Sequence, residues 1–260
     1  MARPTALVTG ASSGIGVELA RQLASRGYDV CVVARRAERL EALKATIEAE
    51  TPAKVHVMPV NLASTAEILA LAATLQERGL HIDCLVNNAG FGYQSYLEER
   101  TAAAWEEMIQ VNCSAVVTLT RALLPGMIER KHGEILNVAS IASFQAVASM
   151  TTYAATKAFV ISFSEGLRLE AMRHGVRVSC LCPGATRSEF AAVAQTRHRD
   201  APGFAWMTAA RVANLGIRGM KKNSPVVIPG LLNKLLIHAQ ALLPRRLVNA
   251  ITAWMFRPVK

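Results

Sequence analysis

A doubly wound parallel α/β sheet is the fold class this sequence predicts, and three observations predict it. Short β-branched runs alternate with longer amphipathic stretches as far as residue 182. The runs are apolar nearly throughout, as strands covered on both faces must be. A glycine-rich turn, Thr9–Gly16, directly follows the first run.

Taken in order, the strand candidates are Thr5–Thr9, Val30–Ala34, Val55–Val60, Cys84–Asn87, Glu134–Val138 and Val176–Cys182. Helical periodicity fills the intervals at 14–26, 37–50, 64–78, 102–131 and 151–174. Strand–helix–strand units of this kind cross over right-handed, so helices come to cover both faces of the sheet. After Pro183 the regularity fades. Residues 184–208 read as an irregular lid, and Val226–Ile228 as a last strand. The tail over 231–260 reads as basic amphipathic helices: Leu231, Leu232, Leu235, Leu236, Ala239, Leu242 and Leu243 share a face, Pro244 interrupts it, and a second apolar helix ends at Phe256. No repeat or low-complexity linker divides the chain, so residues 1–260 are expected to form a single domain.

Composition narrows the function classes. The chain is 52% hydrophobic and 18% charged, which excludes a disordered protein. Its net charge of +10 lies entirely in residues 191–260, where 11 Lys and Arg face one acid, Asp200. Such a face suits an anionic partner (a phospholipid surface, an acidic carrier or a phosphorylated substrate) or is simply a solvated basic surface. Nucleic acid is not expected, because no zinc-finger, RNA-recognition or basic-zipper pattern accompanies the charge. Five cysteines, mostly in apolar runs and without CxxC spacing, read as buried thiols of a reducing compartment, with no metal site. No signal-peptide core and no unbroken apolar run of ~18 residues is evident, so a cytoplasmic protein is expected.

The turn Thr9-Gly10-Ala11-Ser12-Ser13-Gly14-Ile15-Gly16 joins a strand to a helix. Glycines let a pyrophosphate approach the backbone, and the helix N-terminus offers free N–H groups and partial positive charge. Its GxxxGxG spacing differs from the usual GxGxxG. At the end of the second strand, Arg35 and Arg36 stand where a carboxylate would select NAD; a guanidinium at Arg35, with Arg36 as a second contact, suits the 2′-phosphate of NADP.

Tyr153 and Lys157 lie four apart on one helical face. A phenol near pKa ~10 is a poor base at neutral pH, and a neighbouring ammonium would lower that value. Ser140, ending the preceding strand, can orient a substrate oxygen.

Carrying these motifs in family order, residues 5–190 resemble the short-chain dehydrogenase/reductase family. The resemblance rests on Thr9–Gly16, on Asn87-Asn88-Ala89-Gly90, on Ser140 with Tyr153-x-x-x-Lys157, and on Pro183-Gly184. It implies a Rossmann-type fold with a seven-stranded parallel sheet and an NADP(H)-dependent oxidoreductase acting on a carbonyl or alcohol. It further implies that Tyr153 is the acid/base and that Lys157 holds the nicotinamide ribose. Ser140 would position the carbonyl, and Asn112 would support a water-linked proton relay. Asn88, Ala89 and Gly90 would line the cofactor cleft. Pro183 and Gly184 would pass beside the nicotinamide, and Thr186 would bond its carboxamide. Where the family commonly has Asp before an aliphatic residue, this chain has Asn61-Leu62, whose amide carbonyl can take the adenine amino group. The family often forms dimers or tetramers through the helices near 102–131 and 151–174, so a homodimer or homotetramer is expected.

Phe190, Val193, Phe204, Trp206 and Met207 in the lid suit a hydrophobic ketone, aldehyde or 3-oxoacyl substrate. For the tail, burial against the core or a second subunit is the leading expectation. The alternatives are a membrane interface, with Trp254 and Phe256 inserted and Lys234, Arg245, Arg246 and Arg257 near headgroups, and docking of an acidic carrier. The rival to an enzyme is an NADP-sensing module without turnover.

Overall fold

The computed structural model describes residues 3–190, 194 and 206–255. Val193, Phe204, Phe256 and Arg257, and the side chain of Trp254, lie outside them.

The elements run β1 (Thr5–Thr9), α1 (Gly14–Ser25), β2 (Asp29–Ala34), α2 (Ala37–Glu50), β3 (Val55–Pro59), α3 (Thr65–Glu77) and β4 (Ile82–Asn87). There follow α4 (Ala102–Ile109), α5 (Ala115–Glu129), β5 (Gly133–Val138), α6 (Thr151–Ala171) and β6 (Val176–Leu181). The C-terminal part comprises the two-residue strands β7 (Thr186–Arg187) and β8 (Met207–Thr208), then α7 (Ala209–Lys221), β9 (Val226–Val227), α8 (Leu231–Gln240) and α9 (Arg245–Met255).

Seven strands form one sheet in the order β3-β2-β1-β4-β5-β6-β9, parallel at every pairing. The expected Rossmann-type architecture is therefore the observed one. Alternation along β1 explains why both faces are apolar. Ala6 and Val8 pack with Leu19 and Leu23 of α1, Leu40 of α2 and Ile217 of α7. Leu7 turns the other way, into a cluster with Ile68 and Leu71 of α3, Leu119 of α5 and Leu167 of α6. Each leucine so enclosed contributes about 1.5–3 kcal/mol. The order reverses between β1 and β4, and the crevice beyond their carboxyl ends is where this topology admits ligands.

The expected single helix over 102–131 is interrupted. Between α4 and α5 the backbone widens into a π turn, Gln110–Ser114, which rotates Asn112 and Cys113 inward. By length and composition the stretch Ala102–Glu129 could cross a membrane, but Met108, Val116, Leu119 and Met127 are buried within the fold.

A buried polar cluster ties the far end of the sheet together. Glu134 on β5 accepts from Arg177 of β6 at 2.6 Å, Lys221 of α7 at 2.6 Å and the Tyr28 hydroxyl at 2.9 Å. All five cysteines are free and buried.

The tail corrects an expectation. Only Ile237 of α8 is buried, while Leu231, Leu232, Leu235, Leu236, Leu242 and Leu243 are exposed, so the apolar face does not pack on this chain's core.

Candidate active site

The glycine turn is held open by its neighbours. The Thr9 hydroxyl donates to the Val86 carbonyl at 3.3 Å and accepts from the backbone N–H groups of Asn88 and Ala89, each at 3.0 Å. The Asn88 amide donates to the Thr9 carbonyl at 2.9 Å, so its side chain braces the turn. At Gly16 a Cβ would come within 2.2 Å of the Gly10 carbonyl oxygen, and Gly10 itself has φ +67°. Only glycine permits this close return of the chain. Helix α1 then begins at Gly14 with no side chain capping its first turn, which leaves N–H groups free for an anion.

At the opposite end, β5 and α6 deliver the reactive groups. Tyr153 and Lys157 are 7% and 4% exposed. The Lys157 ammonium donates to the Val138 carbonyl at 2.9 Å, which aims its tip along the end of β5. Ser140 opens a short 3₁₀ turn, its hydroxyl accepting from the Ala142 N–H at 3.1 Å. Phe190 lies against the Tyr153 ring with centroids 5.3 Å apart.

Asn112 works behind the cleft. Its carbonyl accepts from the Phe91 N–H at 3.1 Å, and its amide donates to the Phe91 carbonyl at 2.9 Å and the Thr156 hydroxyl at 3.0 Å. Thr156 in turn donates to the Tyr153 carbonyl at 2.8 Å. This chain latches the loop after β4 to the first turn of α6. Deeper still, Asn87 donates to Thr120 at 3.0 Å and to Asn137 at 2.8 Å, and Asn137 donates to Ser164 at 2.9 Å.

Electrostatics differ from the expectation that Lys157 lowers the tyrosine. Burial pushes the Tyr153 phenol up to about 12, with a hydrogen bond to Ser140 pulling the other way. Burial also pushes Lys157 down to about 8. The ammonium stands 5.9 Å from the ring centroid, and loss of water is the largest influence on the phenol.

The two arginines differ in their surroundings. Arg35 is exposed and paired with Glu107 at 3.2 Å. Arg36 is half-buried and donates to the Ser12 hydroxyl of the glycine turn at 3.0 Å. It shares the Glu189 carboxylate with Arg39, at 3.2 and 2.5 Å respectively. Those two guanidiniums hold the Glu189 carboxyl below its usual range.

A cleft of about 510 Å³ joins the two ends. Ser140, Tyr153 and Lys157 line it, with Gly10, Ser12, Ser13, Gly14, Ile15, Arg35, Arg36, Asn61, Leu62, Asn88, Ala89, Gly90, Pro183, Gly184 and Thr186. Of the expected site residues, only Gly16 and Asn112 do not reach its surface, Gly16 because it packs on Gly10 and Asn112 because its amide is spent on Phe91 and Thr156. Two others are already engaged locally: the Asn61 carbonyl accepts from the Ala63 N–H, and the Thr186 hydroxyl donates to Gly184.

The model of the short chain dehydrogenase family matches residues 4–199. The chain belongs to this family.

Among curated short-chain dehydrogenase relatives, an uncharacterised oxidoreductase of Staphylococcus saprophyticus is 38% identical over 179 residues, covering 69% of this chain and 76% of that one. The NADP-dependent 3-hydroxy acid dehydrogenase of Escherichia coli K12 is also 38% identical over 179 residues, or 68% of this chain and 71% of the relative. In structure the chain is similar to a short-chain dehydrogenase from Sphingobium yanoikuyae in complex with NADPH, at TM-score 0.82 and 32% identity over 93% of this chain and 97% of that one. It is similar, too, to the bulky-bulky ketone specific alcohol dehydrogenase from Comamonas testosteroni, at TM-score 0.78 and 31% identity, with 92% and 93% covered.

Sequence reasoning missed several groups in and beside this dehydrogenase's cleft. Arg39 carries a local signal, one helical turn beyond Arg36. Glu189 carries none, since it reaches both arginines from 150 or more positions away. Phe91, Gln145, Val147 and Met150 wall the end beside Tyr153 together with Phe190 and Trp206.

Proposed function

We propose that this short-chain dehydrogenase is an NADP(H)-dependent reductase of hydrophobic ketones or aldehydes, with Tyr153 as the proton donor. The observation that carries the reading is the pairing of a buried, neutral phenol with a buried ammonium at one end of a cleft whose other end is a glycine cradle flanked by arginine. The cradle fits a dinucleotide: its glycines leave space for a pyrophosphate, and Arg36 beside Ser12 answers a 2′-phosphate. When bound, the cofactor supplies the hydride. The chain's own groups do the rest. Ser140 orients the carbonyl oxygen, Tyr153 hands it a proton, and Lys157, held by the Val138 carbonyl, anchors the ribose hydroxyls beside them.

Asn112 holds the loop and helix in register around Tyr153, and Asn61 and Leu62 wall the adenine end. The apolar wall of Phe91, Val147, Met150, Phe190 and Trp206 favours a hydrophobic substrate. Residues 1–260 act as one catalytic unit. The outward faces of α5 and α6 carry Val117, Phe159 and Leu169, which suits a homodimer or homotetramer.

The test follows nicotinamide absorbance with NADPH, and in parallel NADH, over hydrophobic ketones, aldehydes and 3-oxoacyl thioesters. Turnover with NADPH is expected to fall by ~10²–10⁴ in Tyr153→Phe while NADPH binding is retained. Retention of most turnover in that variant would overturn the assignment. NADPH binding without turnover of any compound by the wild type would point to a sensing module instead.

A further inference from the structure

Helix α8 is amphipathic the wrong way round for a helix resting on a protein. The side toward the body carries Asn233, Ile237 and Gln240. Asn233 donates to the Pro229 carbonyl at 2.9 Å, and Gln240 reaches the Phe144 carbonyl at 3.5 Å. The side away from the body carries Leu231, Leu232, Leu235 and Leu236, which are 74, 48, 58 and 58% exposed. The row continues through Leu242 and Leu243 in the turn and Leu247 and Ile251 on α9, all exposed, while Thr252 takes the inward side. Eight large apolar side chains on one helical hairpin is more than scattered exposure explains.

The charge around them says what covers the face. Lys234, Arg245 and Arg246 are exposed on the same hairpin, and residues 201–260 contain no Asp or Glu. A twofold contact between two copies through this hairpin would set these cations against their own counterparts with no acid of the tail to pair them. An anionic bilayer surface answers both features, taking the leucines among its acyl chains and the cations at its headgroups.

Beneath the hairpin lies a second cavity, of about 1190 Å³, whose wall combines Ala154 and Ala158 of α6, Val227, Ile237 and Val248 with the hairpin's own Lys234, Leu243 and Arg245. Gln145 and Val147 belong to its wall and to that of the catalytic cleft alike, so the two spaces adjoin beside Tyr153.

We propose that α8 and α9 dock this protein on anionic membrane and that the cavity under them passes long-chain carbonyl substrates from the bilayer to the cleft. The second clause rests on the reductase reading above; the docking does not. The substrate is therefore of lipid-like class, a carbonyl on a long apolar chain.

The experiment is flotation of the full chain with vesicles of phosphatidylcholine alone or of equal parts phosphatidylcholine and phosphatidylglycerol. Wild type is expected to float with the anionic vesicles only. Leu235→Gln with Leu236→Gln, and separately Arg246→Glu, should lower the bound fraction at least ~10-fold while leaving NADPH binding and turnover of a short water-soluble ketone unchanged. These residues line neither cavity. Turnover of a long-chain ketone carried in the anionic vesicles should fall with the loss of flotation. Wild type that stays unbound, or a leucine variant that floats as before, overturns the docking. So does a wild-type dimer in sedimentation that the leucine variant converts to monomer, because a second copy then covers the face. Equal vesicle-borne turnover in wild type and a non-floating leucine variant overturns the passage. If no ketone is turned over while flotation holds, the reductase reading has failed and the docking stands.

Discussion

Gly92→Ala separates the position of Tyr153 from its chemistry. Gly92 does not occupy the left-handed region, so alanine is compatible with its backbone. Its added Cβ would instead stand 2.5 Å from Cδ2 and 2.9 Å from Cγ of Tyr153, against an ordinary contact of 3.4–4 Å. Something must move by about 1 Å, and the loop has little freedom to do so: Asn112 holds both the N–H and the carbonyl of Phe91, the adjacent residue. The ring therefore gives way, and Phe190, with its centroid 5.3 Å away, limits where it can go. A displacement of about 1 Å at a proton donor costs roughly 10²-fold in rate, and the overpacking costs about 1–3 kcal/mol of stability. The assay is kcat/KM for a short ketone beside NADPH affinity and a melting curve. The rate should fall about 10²-fold with affinity retained, because the glycine cradle and Arg36 are remote from the clash. Wild-type turnover in Gly92→Ala would refute the claim that this loop positions the phenol.

Three further outcomes follow from the same geometry. Arg36→Ala removes the guanidinium that touches Ser12 and should raise the KM for NADPH about 10-fold or more with NADH nearly unaffected; Arg35→Ala, exposed and paired with Glu107, should do less. Glu134→Gln takes the negative charge and one of the two acceptor oxygens from Arg177, Lys221 and Tyr28; with those cations about 40% exposed, chemical denaturation should show a loss of about 2 kcal/mol, below the value for a fully enclosed pair. Lys157 has a folded pKa of about 8 against 10.5 ordinarily, so between those values the unfolded chain binds more protons. Stability of the cofactor-free protein should then rise with pH from about 8 to 10 by up to about 3 kcal/mol relative to Lys157→Met, measured by denaturation at each pH.

What could be read from the sequence was whatever depends on local spacing. The glycine turn, the run from Asn87 to Gly90, and Tyr153 with Lys157 each sit within one turn or one helical face, so their residues meet wherever the strands go. The strands themselves were legible because burial on both faces leaves them apolar nearly throughout. Features requiring the assembled fold were not. Nothing in the pattern of 102–131 announces a π turn, yet that turn brings Asn112 to Phe91. Glu189 reaches Arg36 and Arg39 only through the crossover after β6. The leucines of α8 were visible as a stripe, but periodicity cannot say which stripe faces the protein, and here Asn233, Ile237 and Gln240 take that side. Of the lid residues, Phe190 and Trp206 line the cleft, where the short pairing of β7 with β8 joins the two ends of that segment.

The burial that raises Tyr153 also sets the form in which the phenol rests. A phenol that stays neutral up to about 12 is an acid waiting for a base, and an alkoxide forming at a carbonyl carbon is such a base. To abstract a proton from an alcohol, the same group would first have to become a phenolate in a site that resists charge strongly enough to draw Lys157 down to about 8. The resting site thus holds the proton on Tyr153, and Lys157 remains ionised at neutral pH to stabilise the phenolate left after donation. Both shifts grow with dryness, because water entering the cleft would lower Tyr153 and raise Lys157 together. Phe190 against the ring and Val147 and Met150 along the wall keep water away, so the apolar residues that suit a hydrophobic substrate also maintain the acid. Opening that wall with Phe190→Ser should therefore lower the Tyr153 pKa and move the alkaline limb of the pH–rate profile for reduction to lower pH, read as kcat/KM across pH. An unmoved limb would show that the wall shapes substrate choice alone.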